Sequence, residues 1–263
     1  MGYQKNRWRY SDGRLRIMLD GAKRILELYD DDEFKPIIIE GDHGYGKSTY
    51  ANRLISEVYS LKELGWGGNG KRANWNIKLF KSHMGFHPNE VVKKWKAKRS
   101  RDHCFHWDDA GLWLHNLDFQ NKFVKSAGKY MQVVRNDWAC VMYTAISKED
   151  ITSKIRGLRN TIIVEITKDG CTKAQPNRRT AAAYIIRKGW RGREYKDYQW
   201  TETFDSHVPG TYTVSRKGQV LKKVGFYGWY KPVRDRYSQM AKELMAKSAK
   251  EESDFDVEFK GMM

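Results

Sequence analysis

The chain has 263 residues, with 49 lysines and arginines against 32 aspartates and glutamates, which gives a formal net charge of +17 at pH 7. This length allows one large domain or two small ones, and a hydrophobic content of 40% is enough to build a core, which excludes wholesale disorder. Such a basic excess favours polyanionic partners, because lysine and arginine neutralise phosphates and release counterions. A charged surface that only maintains solubility is the alternative.

The three cysteines and the absence of long apolar runs argue against a disulfide-rich protein, a zinc knuckle and a membrane protein. The cysteines form no C-x-x-C pair, so neither a disulfide framework nor a zinc knuckle is predicted. No apolar run approaches the ~20 residues that span a bilayer, and the first residues lack an apolar signal region. We therefore expect a cytoplasmic protein that makes no use of a membrane.

The first two thirds of the chain alternate helix and strand patterns. Apolar residues at three- and four-residue steps predict an amphipathic helix over 14–29, and the β-branched run Ile37–Ile39 predicts a buried parallel strand. Further patterns predict a helix around 51–59, strands at 75–80, 103–107, 139–145 and 161–167, and helices at 87–98, 119–134 and 148–159. Strands that alternate with helices indicate an α/β fold in which a mostly parallel sheet carries helices on both faces.

From about residue 169 the pattern changes to short aromatic and β-branched runs separated by glycine, proline and aspartate. These runs predict antiparallel hairpins, followed by a terminal helix over 233–250 and a loose acidic tail. We expect a core over 1–168 and a β-rich extension over 169–263, which is either a second domain or a continuation of the same sheet.

The segment after the first strand matches a phosphate-binding loop, G-x-x-x-x-G-K-[ST], without a departure. Glycines let such a loop wrap closely around phosphates, and the helix that begins there adds its positive end. Lys47 is expected to reach the β- and γ-phosphates of ATP, and the Ser48 hydroxyl to coordinate Mg²⁺. The predicted nucleotide-binding residues are Gly41, Asp42, His43, Gly44, Tyr45, Gly46, Lys47, Ser48 and Thr49.

A second acidic element follows the strand at 103–107, where Asp108 and Asp109 are adjacent. On its own, a pair of aspartates at a strand end is as readily a solvated turn as a site. Beside a phosphate-binding loop, the pair resembles the Walker B element of P-loop ATPases.

Together these motifs make residues 14–167 resemble the additional-strand, catalytic-glutamate division of P-loop ATPases, which implies a three-layer core. The resemblance implies that Asp108 orients Mg²⁺, that Asp109 polarises the attacking water and that Thr144 senses the γ-phosphate. It also implies that Arg156 or Arg159 reaches a neighbouring subunit's nucleotide in a ring. The chain departs from the family in one respect, since most of these motors carry Asp-Glu where this chain has Asp-Asp.

Within that division, the order of elements is similar to the FtsK/HerA-like packaging and phage-assembly ATPases and to small ATPases of archaeal viruses and plasmids. This resemblance implies a Mg²⁺-dependent, nucleic-acid-stimulated ATPase that moves or packages DNA as a homo-oligomer, with viral or replication proteins as further partners. An AAA+ helicase loader or replication initiator is the second hypothesis, and a helical lid after residue 170 would favour it. A third hypothesis is an ATP-switched DNA- or partner-binding protein with little turnover.

Basic runs interleaved with aromatic residues support contact with the DNA backbone rather than with base edges. They lie at 5–10, 93–101, 178–179, 187–196 and 216–231. We expect the aromatic residues of the hairpins to belong to the core rather than to stack on bases.

Overall fold

A computed structural model describes residues 19–63, 77–115, 121–207, 212–214, 220–223 and 225–261. The chain divides into two compact units, 1–208 and 209–263, and each is described by itself.

The first unit is built on a seven-stranded sheet. Its strands are β1 (Lys35–Glu40), β2 (Met84–Gly85), β3 (Asp102–Trp107), β4 (Trp138–Thr144), β5 (Ile162–Thr167), β6 (Arg178–Lys188) and β7 (Glu194–Asp205). Their order across the sheet is β2-β3-β4-β1-β5-β6-β7. The first five are parallel to one another, whereas β6 and β7 run antiparallel to their neighbours. The predicted α/β class with a mostly parallel sheet is confirmed, and β6 and β7 continue the sheet that the preceding residues form.

Helices cover both faces of this sheet. They are α1 (Asp20–Asp30), α2 (Lys47–Glu63), α3 (Ile77–His83), α4 (Pro88–Lys96), α5 (Lys122–Tyr130) and α6 (Ser153–Arg156). One face packs α4, α5 and α6 against alternate residues of the central strands, such as Ile38, Phe105 and Val141. The other face carries α1 and α2. Each central strand is therefore buried on both sides, which explains its continuous apolar sequence.

Three local predictions need correction. Residues 77–80, predicted as part of a strand over 75–80, belong to α3, and Trp75 and Asn76 lie outside the described residues. A short apolar run fits both the two-residue period of a strand and the 3.6-residue period of a helix. In the structure Phe80 is the buried residue of α3, as expected for a helix that turns one face to the core. Of the helix predicted over 119–134, Lys122–Tyr130 is confirmed, residues 119–120 lie outside the described residues, and 131–134 are not α-helical. The helix predicted over 148–159 is instead a 3₁₀ turn followed by α6. Gly157 ends α6, since glycine is a poor helix former.

The second unit contains an antiparallel hairpin and a long helix. Strands β8 (Tyr212–Val214) and β9 (Val220–Lys223) form the predicted hairpin. Helix α7 (Gly225–Gly261) begins earlier than predicted and continues through the tail that was predicted to be loose. Phe226 and Tyr230, four residues apart, are buried and stack with ring centroids 5.4 Å apart, so this aromatic run has helical periodicity. Among the described residues, no helix combines the length and apolarity needed to cross a bilayer.

Candidate functional site

The glycine-rich loop joins the carboxyl end of β1 to the amino end of α2. Gly41, Gly44 and Gly46 have φ angles of 145°, 74° and 95°, a region that favours glycine. At Gly41 an added Cβ would lie 2.7 Å from the carbonyl oxygen of Ile166. At Gly46 it would lie 3.0 Å from Cβ of Ser206. The glycines therefore allow both the turn and its close approach to the neighbouring segments.

Lys47 closes the loop upon itself. Its Nζ donates hydrogen bonds to the carbonyl oxygens of Gly41, at 2.5 Å, and Asp42, at 3.0 Å. Helix α2 begins at this residue, with the backbone N–H of Tyr50 bonded to the Gly46 carbonyl at 2.8 Å. The ammonium group and the positive end of the helix thus lie at one concave turn of backbone, which is an arrangement that binds anions.

Asp108, which follows β3, connects the loop helix to the end of β4. The carboxylate oxygen Oδ1 of Asp108 accepts hydrogen bonds from the hydroxyls of Ser48, at 2.7 Å, and Thr144, at 2.8 Å. Thr144 Oγ1 in turn accepts the backbone N–H of Asp109 at 2.8 Å. Asp108 and Thr144 are fully buried. Four of the residues predicted from the sequence therefore meet at the carboxyl edge of the sheet.

Asp109 has an unusual backbone conformation. Its φ of 50° and ψ of 38° place it in the left-handed region, directly before the 3₁₀ turn Ala110–Leu112. Aspartate tolerates this region better than most residues, but strain of this kind persists only where the surroundings enforce it. Here the hydrogen bond to Thr144 holds the residue's N–H.

Two polar residues beneath this cluster, His106 and Asn52, were not predicted from the sequence to belong to it. Nδ1 of the buried His106 lies 2.9 Å from Oδ1 of Asn52, and its Nε2 lies 3.4 Å from Oδ1 of Asp108. A periodicity argument could have found them. His106 is two residues before Asp108 on a strand, and Asn52 is one helical turn after Ser48, so each pair shares a face.

Among the described contacts, neither candidate arginine belongs to this hydrogen-bonded set. Arg156 forms an ion pair with Glu149, and Arg159 is exposed. Glu40 pairs with Glu165 in the parallel register, so the loop that follows Glu40 lies beside the carboxyl end of β5. Arg159 comes before the first residue of β5, at its amino end, and the strand from Ile162 to Glu165 covers roughly 10 Å. The structure therefore does not bring Arg159 to this chain's own loop.

The outer side of the loop is partly exposed. Asp42 and His43 are exposed, whereas Tyr45 and Thr49 are half-buried. A hydrogen bond to Asp42 raises the pKa of the Tyr45 hydroxyl, and Nζ of Lys168 lies 4.6 Å from the centroid of the Tyr45 ring. These residues are placed where a bound ligand would meet solvent.

Beside the loop is a cavity of about 420 Å³ between the segment after β5 and the end of β7. Its lining residues are 174–178 and 203–205. Phe204 both lines the cavity and lies 3.6 Å from an added Cβ on Gly46, so the cavity adjoins the loop. Its volume falls in the range of small-molecule sites.

Two half-buried carboxylates support the helices behind the loop. Glu57 of α2 accepts the N–H of Leu19 at 2.8 Å, and Glu202 of β7 accepts the N–H groups of Asp20 and Gly21. These N–H groups begin α1, so the two acids satisfy donors that have no partner within the helix. Burial raises the pKa of Glu57 to about 7 and also raises that of Glu202.

Comparisons with known proteins assign no activity to this geometry. No protein-family model matches the chain. An uncharacterized protein, B-251, of Sulfolobus spindle-shape virus 1 is 27% identical to it over 151 residues. The match covers 56% of this chain and 57% of the viral protein, so the chain spans little more than half of that relative.

Proposed function

We propose that the protein is a P-loop ATPase of the additional-strand division that couples hydrolysis of Mg·ATP to movement or remodelling of DNA. The observation that carries the proposal is the hydrogen-bonded set of Ser48, Asp108 and Thr144 next to the glycine loop. In this proposal it acts in the cytoplasm, which is that of a host cell if the gene belongs to a virus or plasmid.

The order of the strands supports this class. Strand β4 lies between β1, which ends in the loop, and β3, which ends in the paired aspartates. All three are parallel, so their carboxyl ends meet at one edge. In open parallel sheets, ligands bind in the crevice outside that edge. The loop, the aspartates and Thr144 all occupy it.

The donor set fits Mg·ATP. Lys47 would exchange its two carbonyl partners for phosphate oxygens, and the first N–H groups of α2 would face the same phosphates. Ser48 and Asp108 supply two oxygen ligands of the kind that Mg²⁺ prefers. No group of three metal-binding acidic, histidine or cysteine side chains exists among the described residues. Mg²⁺ takes its remaining ligands from water and substrate phosphates.

Asp109 and Thr144 provide the catalytic part of the proposal. Asp109 would accept a proton from the attacking water, or orient it, while Thr144 fixes the backbone of Asp109 and one oxygen of Asp108. Arg156 or Arg159 would act on the nucleotide of a neighbouring copy and stabilise transition-state charge there. A homo-oligomer is part of this proposal, because an arginine that acts on a neighbour's nucleotide requires a second copy of the chain.

The residues after β5 favour the packaging-type branch over the AAA+ loader or initiator. A loader would follow β5 with a helical lid, whereas the described residues there form the antiparallel strands β6 and β7. The net charge of +17 supports DNA as the polyanionic partner. An ATP-switched binding protein with little turnover would use the same nucleotide site. Only a measurement of ATP hydrolysis distinguishes it from a motor.

The test is steady-state phosphate release from Mg·ATP with no DNA, with single-stranded DNA and with duplex DNA. We expect DNA to raise turnover, and Lys47→Ala and Asp109→Asn each to lower it at least 100-fold. Asn suits position 109 because it tolerates the left-handed conformation. Lys129→Ala, which removes an exposed lysine from α5, is the matched control and keeps full activity.

Each other outcome has a defined meaning. Wild-type protein that binds ATP but shows no turnover with either DNA supports the switch hypothesis and contradicts the motor. Turnover that survives both substitutions contradicts the site itself.

A further inference from the structure

The turn between β6 and β7 is a closed loop at the end of the sheet's antiparallel edge. Gly189 N–H donates to the Arg193 carbonyl at 2.8 Å, and Gly192 N–H donates to the Gly189 carbonyl at 3.1 Å. A 3₁₀ turn spans Trp190–Gly192, and Gly192 has a φ of 73°. Backbone hydrogen bonds thus define the shape of this turn.

Two aromatic side chains at this turn are directed to solvent. Trp190 is 86% exposed and Tyr195 is 55% exposed. The expectation that the aromatic residues of the hairpins belong to the core is therefore wrong here, although it holds for Tyr184 and Phe204, which are buried. The Tyr195 ring lies beside the turn, since a Cβ on Gly189 would be 3.5 Å from its Cε1.

The same segment is strongly basic. Residues 187–196 contain five lysines and arginines and one acid, Glu194, which gives a local net charge of +4. Lys188 and Arg193 flank the turn and are exposed. Arg187 and Lys196 are paired with Asp197 and Glu165. The two flanking cations are thus positioned to meet an external anion.

We propose that this hairpin tip, residues 187–196, binds single-stranded nucleic acid, with Trp190 stacked on an unpaired base and Lys188 and Arg193 on adjacent phosphates. An exposed indole in a basic segment suits a ligand that alternates π-faces with phosphates. Stacking on an aromatic side chain is indifferent to sequence, because every base has a π-face. The tip deepens the DNA part of the proposed function, but its binding requires no ATP hydrolysis.

A lipid surface is the strongest competitor, because tryptophan and basic residues also favour membrane interfaces. Interfacial anchors bury several apolar side chains together. Here the exposed apolar groups within 187–196 are aromatic rings, and the residues between them are polar, charged or glycine. The composition therefore favours nucleic acid.

The experiment is fluorescence anisotropy with a labelled 20-nucleotide oligothymidine, without nucleotide, on the full chain. Trp190→Ala is expected to weaken binding about 5- to 150-fold, as the loss of one stacked base predicts. Trp190→Phe retains a ring and recovers most of the affinity. Because Trp190 is 86% exposed, we expect its substitution to leave the fold intact, and the circular dichroism spectrum and the unfolding midpoint check this.

A charge test uses two double variants that lose the same net charge. Lys188→Ala/Arg193→Ala should make the negative slope of log K against log salt shallower by about 1.4, because each phosphate contact on a single strand contributes about −0.7 to it. The control, Lys122→Ala/Lys129→Ala, removes exposed lysines from α5 and leaves the slope unchanged.

Three results would overturn the proposal. Trp190→Ala could bind oligothymidine as tightly as the wild type, or the two double variants could show equal slopes. In the third, Trp190→Ala loses binding to phosphatidylserine-containing vesicles but not to DNA, which would assign the tip to membranes. Lys47→Ala is expected to bind the oligonucleotide as the wild type does. Failure of the ATPase proposal would therefore not affect the binding result for the hairpin tip, and the two failures can be told apart.

Discussion

Thr144→Val is the most informative single change in the candidate site, because it keeps the shape of the side chain and removes only its hydroxyl. That hydroxyl donates to Oδ1 of Asp108 and accepts from the N–H of Asp109. A hydrogen bond to an ionised acceptor contributes about 1.5–3 kcal/mol, and one to a neutral partner about 0.5–1.5 kcal/mol. We therefore expect the free energy of unfolding to fall by roughly 2–4 kcal/mol.

The same change should lower the turnover of Mg·ATP. If the two bonds position Asp108 and Asp109 for reaction, a loss of about 1.4–2.8 kcal/mol in the transition state lowers kcat by about 10- to 100-fold. Urea unfolding and phosphate release measure the two quantities on the same preparation. Thr144→Ser, which keeps the hydroxyl, is the control and should retain both hydrogen bonds. Equal unfolding free energies and equal kcat values for the Val and Ser variants would refute this reasoning.

Three further predictions concern the framework of the site. Burial raises the folded pKa of Glu57 to about 7, so between pH 4.5 and about 7 the folded wild type holds a proton that the unfolded chain has lost. The free energy of unfolding of the wild type should therefore fall by roughly 3 kcal/mol as pH rises through this range. Glu57→Gln should abolish most of that fall, and a flat wild-type profile in urea unfolding would refute the prediction. Gly41→Ala should destabilise by at least about 2 kcal/mol, since its Cβ would meet the Ile166 carbonyl, whereas Gly44→Ala has open space and should cost about 1 kcal/mol; equal melting temperatures would contradict the difference. His106→Phe, which keeps a ring without its nitrogens, should lower the unfolding free energy by about 1–3 kcal/mol, and an unchanged value would show that the contact with Asn52 contributes nothing.

Local patterns predicted the parts of the fold that depend on local causes. Strand β1 was predictable because Ile37–Ile39 is apolar throughout, as a strand buried on both faces must be. The loop was predictable because its glycines and Lys47 are fixed by backbone geometry and charge. Residues 77–80 were misassigned because a four-residue apolar alternation does not distinguish a strand from one turn of a helix.

The parts that escaped prediction depend on contacts between residues distant in sequence. Glu57 and Glu202 cap the start of α1 from another helix and from an edge strand. No local pattern marks either residue, and a charged residue on an amphipathic helix is ordinarily taken as solvent-facing. The exposure of Trp190 could not be predicted from the sequence either, because it depends on the position of the turn at the edge of the sheet.

Equilibrium binding of ATP tests the central claim most directly, since it requires neither a DNA partner nor an oligomer. Isothermal titration with the non-hydrolysable analogue AMP-PNP, with and without Mg²⁺, would compare the wild type with Lys47→Ala and with the control Lys129→Ala. We expect Mg²⁺-dependent binding by the wild type and the control, and affinity at least tenfold weaker in Lys47→Ala. Absence of binding by the wild type, or equal affinity in Lys47→Ala, would contradict the assignment of residues 41–49 as a nucleotide site.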